Sequence, residues 1–473
     1  MRLDRIYDED LAQASYLIGC QATGEAVVVD ARRDIGEYLE LAERHGLRIV
    51  AVTETHIHAD YLSGTRELAA ATGAQVYLSG EGGQDWQYGF EGSRLYDRDS
   101  FSVGNITIQA RHTPGHTPEH LSFLVTDGAF SSEPGYLLSG DFIFVGDVGR
   151  PDLLDEAAGG VDTRFAGAHD LFRSLKDIIL DLPDHVQIYP AHGAGSACGK
   201  ALGAVPATTV GYERLFAWWA PYLRADDEQG FVNELLAGQP DAHAYFARMK
   251  RQNKAGPQVL GPLAPLAEWD TGRLAAALQA EEVTFADTRP WEDVHRGTVE
   301  GALHIPAPDK AATYGAWAFD PERETAPLVL LAPDRQVAED IRAHLVRVGI
   351  DDVAGYSTEL SGLPPAVPAT ARPSDLGKLT DGDNVHLLDV RNRTEHAEGA
   401  IPGSDQLAAG RLMWHLDELP HAATIVAYCQ SGNRSSVAGA ALRRAGYDVI
   451  ELTGGFQAWS QATHTLDTPV LAR

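Results

Sequence analysis

The sequence predicts a multidomain α/β and α+β protein: a first domain of sheets covered by helices, then two small α/β domains on parallel sheets. Three observations predict it. Short apolar strand patterns alternate with helical ones up to about residue 255. Two Pro/Ala/Gly stretches then punctuate the chain. They are Asn253-Lys254-Ala255-Gly256-Pro257 to Pro262–Pro265, and Leu363-Pro364-Pro365-Ala366-Val367-Pro368 on to Pro373. The segments they delimit repeat each other. Asp287, Arg289, Gly297 and Gly301 match Asp389, Arg391, Gly399 and Gly403 at an offset of 102, and Gly349 and Asp351 match Gly446 and Asp448 at 97.

In order, the first segment has strand patterns at Ala26–Asp30, Leu47–Val52, Ala74–Leu78, Ile106–Ala110, Leu121–Val125 and Ile188–Tyr189, with helices at Gly36–His45 and Gly64–Thr72. Each later copy reads strand, helix, strand, loop, helix, strand. The expected domains are 1–255, 263–363 and 374–473.

Size and charge bound the function. The 473 residues suffice for two to four domains, and 44% hydrophobic residues supply their cores. Thirty-eight Lys and Arg stand against 67 Asp and Glu, for a net charge of −29. Such a surface repels nucleic acids and anionic membranes, so neither is expected as a partner. Cys20, Cys198 and Cys429 are too few and scattered for a disulfide framework, which points to a reducing compartment. No run reaches the ~18 apolar residues of a membrane span. Leu17-Ile18-Gly19-Cys20 is similar to a lipoprotein cleavage site, but Asp4, Asp8, Glu9 and Asp10 occupy the place of a signal core. A cytoplasmic protein is expected.

Four strand ends deliver imidazoles or carboxylates: His56-Ile57-His58-Ala59-Asp60, His116 in Thr113-Pro114-Gly115-His116-Thr117, Asp141 after Tyr136–Leu138, and His192 after Ile188-Tyr189-Pro190-Ala191. A lone histidine at a strand end is ordinarily a capped or solvated residue. A converging set of nitrogen and oxygen donors instead suits a first-row transition metal with an open position.

A second constellation is Cys429-Gln430-Ser431-Gly432-Asn433-Arg434-Ser435, between the strand Thr424–Tyr428 and the helical pattern Val437–Ala445. A cysteine there faces a ring of backbone N–H groups and a helix N-terminus, both of which favour a thiolate. Arg434 adds a fixed charge and a forked donor for an incoming anion. Four residues separate Cys429 from Arg434, one fewer than in cysteine phosphatase loops, and the tighter ring suits a single added sulfur. In the middle copy Ala332 and Val337 stand at these positions, so that copy has lost its nucleophile and its anion clamp.

At these residues the chain resembles known families. Thr55–Tyr61, Thr113–Thr117, Ser139–Asp141 and Pro190–His192 resemble the metallo-β-lactamase fold, an αββα sandwich. Gly146-Asp147-Val148-Gly149-Arg150-Pro151-Asp152 resembles its persulfide dioxygenase branch. Asp389-Val390-Arg391, Gly399–Gly403 and the Cys429 loop resemble rhodaneses. The resemblance implies a persulfide dioxygenase fused to one inactive and one active rhodanese domain, with a role in hydrogen sulfide detoxification. It implies one Fe(II) per chain on His56, His116 and Asp141, with His58, Asp60, Tyr61 and His192 around it or as further metal ligands. It places Arg150 near the carboxylate of the bound thiol, against the plainer reading of a salt bridge with Asp152. Tyr61 departs from the pattern: two-metal hydrolases carry a histidine there that binds a second metal.

The implied reaction oxidises a low-molecular-weight thiol persulfide with O₂ to sulfite and thiol. Cys429 then carries sulfane sulfur to sulfite or from thiosulfate. A homo-oligomer is expected. Two rivals stand beside this reading: a two-metal or zinc thioester hydrolase of the glyoxalase II type with an attached sulfurtransferase, and a non-enzymatic sulfur carrier or sensor. Metal content and O₂ consumption separate the first. Absence of all O₂ chemistry in iron-loaded protein would favour the second.

Overall fold

A computed structural model describes residues 1–153, 155, 163–380 and 384–466; residues 467–473, the end of the third expected domain, lie outside them. The chain divides into two compact units, Met1–Ala242 with Phe246–Leu263, and His243–Tyr245 with Ala264 onward.

The first unit holds two six-stranded sheets. One is ordered β1 (Arg2–Asp8), β2 (Gln13–Cys20), β3 (Glu25–Val29), β4 (Arg48–Thr53), β5 (Gln75–Ser79) and β6 (Ser93–Leu95). The other runs from β7 (Ser100–Val103) through β8 (Ile106–His112), β9 (Leu121–Asp127), β10 (Tyr136–Gly140) and β11 (Gln187–Pro190) to β12 (Thr208–Thr209). Both mix parallel and antiparallel pairs. In β8 the buried positions alternate, Ile106, Ile108 and Ala110, as in a sheet with one face on the core. In β3 the run Ala26–Val29 is buried throughout, because both faces of its sheet are covered.

Three apolar layers follow. Tyr16, Ile18, Val27 and Val29 of one sheet meet Phe101, Ile108, Phe123 and Val125 of the other. Leu17, Val28 and Val52 pack on Tyr38 and Ala42 of α1 (Gly36–Arg44) and Leu68 of α2 (Thr65–Thr72). Leu124, Leu137 and Ile188 pack on Ala168, Leu171 and Phe172 of α3 (Thr163–Ser174). This is the expected αββα sandwich. Each buried Val, Ile, Leu or Phe contributes ~1.5–3 kcal/mol, which lets the sandwich carry desolvated histidines and carboxylates at its rim.

The hairpin β1–β2 was not expected. Arg2–Asp8 carries charge at four of seven positions, which hides its strand period, and Gln13–Cys20 is buried throughout, including Gln13 and Ser15. Cys20 ends β2 in the inter-sheet core and its sulfur accepts from the Asn105 N–H at 3.3 Å. The sequence places Asn253 in a linker; here it is a buried residue of α4 (Phe246–Ala255).

The second unit contains two wholly parallel sheets. One is ordered β15 (Leu303–His304), β13 (Thr284–Asp287), β16 (Leu328–Leu331), β17 (Val353–Ser357). The other is ordered β19 (Ala369–Ala371), β23 (Val449–Leu452), β22 (Thr424–Tyr428), β20 (Val385–Asp389), β21 (Asp405–Gln406). A short pair, β14 (Thr298–Val299) and β18 (Pro365–Ala366), joins them in sequence. The repeat is legible atom by atom. Arg289 grips Asp287 and donates to the Gly297 carbonyl at 2.6 Å; Arg391 grips Asp389 and donates to the Gly399 carbonyl at 2.7 Å. Among the described residues no helix is long and apolar enough to cross a membrane.

Candidate functional site

The first unit gathers its polar strand ends at one rim. Asp30, just past β3, sits at φ +57° and accepts from both the backbone N–H of Thr55 (2.7 Å) and its hydroxyl (2.9 Å). The Thr55 hydroxyl proton is thereby spent, so Thr55 Oγ1 accepts from His56 Nδ1 at 3.0 Å. His116 Nδ1 donates to the Arg150 carbonyl at 2.9 Å, and His192 Nδ1 to the Ala12 carbonyl at 3.0 Å. All three rings therefore present Nε2 lone pairs, the tautomer that metal-ligating histidines take from such partners. Gly115, at φ +150°, makes the His116 turn possible: a Cβ there would lie 2.5 Å from Leu171 Cβ.

His56, His116 and Asp141 offer donor atoms within 4.8 Å of one another. Asp141 Oδ2 lies 3.4 Å from His116 Nε2 and 4.0 Å from His56 Nε2. A second group of the same compactness is Asp60, His192 and Cys198. His192 Nε2 lies 3.5 Å from both Asp60 Oδ2 and Asp141 Oδ1, so Asp141 faces each group with one oxygen.

Both oxygens of Asp141, Asp60 Oδ2 and His192 Nε2 are buried with no hydrogen-bond partner. Such atoms are costly to desolvate unless something binds them. Burial works against the Asp141 charge, but His192 and His116 outweigh it and hold the carboxyl below its ordinary range. Burial, then its histidine neighbours, pushes His56 well below the usual imidazole range and so keeps it neutral. Neutral imidazoles and one ionised carboxylate make an N₂O donor set that fits a first-row divalent metal. Cys198 adds a sulfur donor, although burial, Asp141 and Asp60 push its thiol well up, so binding there would have to release a proton.

His58 and Tyr61 stand outside both groups. His58 Nε2 donates to Asp30 Oδ1 at 3.1 Å; burial opposes its charge, but Asp30, Asp60 and Glu54 hold it up to about 9. The Tyr61 hydroxyl donates to the Asp30 carbonyl at 3.1 Å, and its ring packs on His58 at 4.6 Å. Tyr61 is thus a hydrogen bonder that steadies Asp30.

Arg150 is fully buried. It grips Asp152 at 2.8 and 2.6 Å and donates to the carbonyls of Ala197 (3.1 Å) and Pro240 (2.7 Å). The salt bridge weighed against substrate binding is formed, and it ties down the loop that carries Cys198. Arg150→Ala should cost about 3–5 kcal/mol by stranding buried Asp152. Urea unfolding would register that loss; a change under 1 kcal/mol would refute the tie.

In the second unit Cys429 is buried, and its sulfur accepts from the Gly432 N–H at 3.1 Å and the Ser435 hydroxyl at 3.4 Å. These donors open α5 (Asn433–Arg444), which has no side-chain cap. The Arg434 fork is closed on Glu395 at 2.6 and 2.8 Å, so the expected anion donor already holds a carboxylate. Trp291 of the middle repeat lies on the same loop: a Cβ at Gly432 would meet its ring at 2.9 Å. In the middle repeat the corresponding helix, Arg335–Arg347, is capped by Asp334, which accepts from the Val337 N–H at 3.0 Å. A carboxylate thus accepts at that helix N-terminus, where the last repeat has no side-chain cap.

Sequence reasoning missed Asp30, His120 and Asn253. Asp30 ends the apolar run Val27–Val29, the same signal that exposed Asp141. His120, four residues past His116, stacks on His56 with ring centroids 5.0 Å apart. Asn253 donates to the carbonyls of His58 and Tyr61 from 195 and 192 residues away, and nothing local announces it.

The metallo-beta-lactamase superfamily model matches residues 8–192, and the rhodanese-like domain model matches residues 372–462. A solved metallo-beta-lactamase from Staphylococcus aureus subsp. aureus COL is 39% identical, covering 75% of this chain and 98% of that one, with a TM-score of 0.66. The chain belongs to the metallo-beta-lactamase superfamily, here joined to a C-terminal rhodanese-like domain. Within that superfamily it is similar to the mitochondrial persulfide dioxygenase ETHE1 of Bos taurus, 29% identical over 198 residues, 40% of this chain and 67% of that protein. It is also similar to a hydroxyacylglutathione hydrolase of Prochlorococcus marinus (strain MIT 9211), 27% identical over 175 residues, 36% of this chain and 62% of that protein.

Proposed function

We propose that the chain is a two-centre enzyme of sulfur oxidation. At the first centre a small thiol persulfide reacts with O₂ and water to give thiol, sulfite and two protons. At the second, Cys429 attacks a sulfane sulfur, releases sulfite from thiosulfate and holds the sulfur as a persulfide, or runs this in reverse. The middle segment, 263–363, is read as a rhodanese-like scaffold without a nucleophile.

The observation that carries this reading is the conjunction, in one chain, of a buried two-histidine, one-carboxylate group with a cysteine on a helix N-terminus. His56, His116 and Asp141 would hold Fe(II), which supplies the redox chemistry that O₂ reduction needs. The residues do the rest. Hydrogen bonds from Nδ1 of His56 and His116 fix their rings, and Asp141 supplies negative charge. Complete burial of the carboxylate keeps bulk water from competing. At Cys429 the Gly432 and Ser435 donors offset charge on sulfur in both the thiolate and the persulfide.

The test is metal replacement. Protein loaded anaerobically with Fe(II), about one per chain, should consume O₂ with a persulfide, and zinc-loaded protein should not. Equal rates would overturn the mechanism.

A second reading, a two-metal hydrolase, has its own observation in the Asp60, His192 and Cys198 group beside a shared Asp141. Two tightly bound metals per chain with thioester cleavage would favour it.

A further inference from the structure

We propose that His120 is a positioning residue of the metal centre, closing a one-directional ring of hydrogen bonds that sets Asp141 against His56. The proposal rests on the reading that His56, His116 and Asp141 hold a metal.

The ring can be followed proton by proton. The Asp141 N–H donates to His120 Nε2 at 3.0 Å, so that nitrogen is an acceptor and the ring proton sits on Nδ1. Nδ1 lies 2.7 Å from Thr113 Oγ1 and must donate to it. The Thr113 hydroxyl then donates to Ser122 Oγ at 3.0 Å, and Ser122 donates to the Ser139 carbonyl at 3.2 Å. Ser139 and Asp141 flank Gly140, so the circuit closes, and every hydroxyl in it has one direction.

The ring reaches all three ligand-bearing segments. Thr113 and His120 are joined at the base of the His116 turn, where the Thr113 N–H donates to the His120 carbonyl at 2.9 Å. The His120 ring stacks on His56, its plane 27° away. Asp141 hangs from its acceptor nitrogen. Gly140 makes the approach possible: at φ +55°, a Cβ would fall 2.6 Å from His120 Nε2 and 2.7 Å from Thr55. Yet His120 belongs to neither candidate ligand group. A buried imidazole whose one lone pair is spent on the Asp141 N–H and whose face lies on His56 fixes geometry rather than binding metal.

Two substitutions separate the contacts. His120→Phe keeps the stack and removes the acceptor; His120→Gln presents a carboxamide oxygen near Nε2 and removes the stack. Fe(II) affinity, by competition with a chromophoric chelator, should fall about 10–100-fold in His120→Phe and stay within roughly threefold of wild type in His120→Gln. The visible spectrum of the Co(II) protein should change in the same order. Urea unfolding of each apo variant establishes that it is folded. If His120→Phe fails to fold, Thr113→Val, which opens the ring one link away, should still weaken Fe(II). Wild-type affinity in His120→Phe, or in Thr113→Val when that variant decides, would overturn the proposal, as would an equal loss in the Gln and Phe variants. Failure of wild-type protein to bind Fe(II) would instead overturn the metal-centre reading beneath it.

Discussion

Asp141→Asn should empty the first centre and leave the second untouched. Asp141 faces both candidate groups, an oxygen to each, and neither oxygen has a hydrogen-bond partner among the described residues. An amide there keeps the shape but loses the charge that offsets a divalent ion. The loss of Fe(II) affinity should exceed the ~10–100-fold typical of outer partners. O₂ uptake with persulfide should fall to background. Stability offers a second readout. Wild-type protein at a free Fe(II) concentration of 100 Kd gains about 2.7 kcal/mol from binding, and the variant should gain almost nothing. Thiosulfate sulfur transfer should persist, because Cys429 and its donors lie in the other unit. Retained metal-linked stabilisation in Asp141→Asn would refute the ligand assignment.

The candidate metal site was legible because its residues stand where apolar strands end. A strand such as β4 or β10 announces itself by composition, and a histidine or aspartate just beyond it has no packing reason to be there. The repeat was legible for a similar reason: Asp389, Arg391 and Gly399 form one local hydrogen-bonded corner, and the Asp287 corner copies it. What stayed hidden is long-range. That Arg434 would close on Glu395, 39 residues earlier, follows from packing rather than from spacing. Of the partners of Arg150, Asp152 could be read only as an alternative and the carbonyls of Ala197 and Pro240 not at all.

Tyr61 shows how a sound local argument can be incomplete. A tyrosine in place of a histidine removes one ligand from a second metal position, and Tyr61 indeed turns to Asp30. But the loop after His192 folds back and sets Cys198 beside Asp60 and His192. The second candidate group thus includes a thiol that the local motif does not contain.

Cys429→Ser should abolish sulfur transfer and spare O₂-dependent sulfite formation. Serine keeps an acceptor for the Gly432 N–H, so the loop should hold and stability should change by no more than about 1 kcal/mol. What disappears is a sulfur that can bond to sulfur and leave again; transfer should drop at least ~10³-fold, as when an enzyme loses its nucleophile. The middle repeat cannot substitute. Ala332 has no sulfur, and Asp334 already caps the helix N-terminus where an anion would have to sit. Sulfite production from persulfide and O₂, measured beside thiosulfate-dependent transfer, is the check. If both activities vanish in Cys429→Ser, sulfur reaches the metal centre only through Cys429, and the two centres form one obligatory path rather than two separable ones.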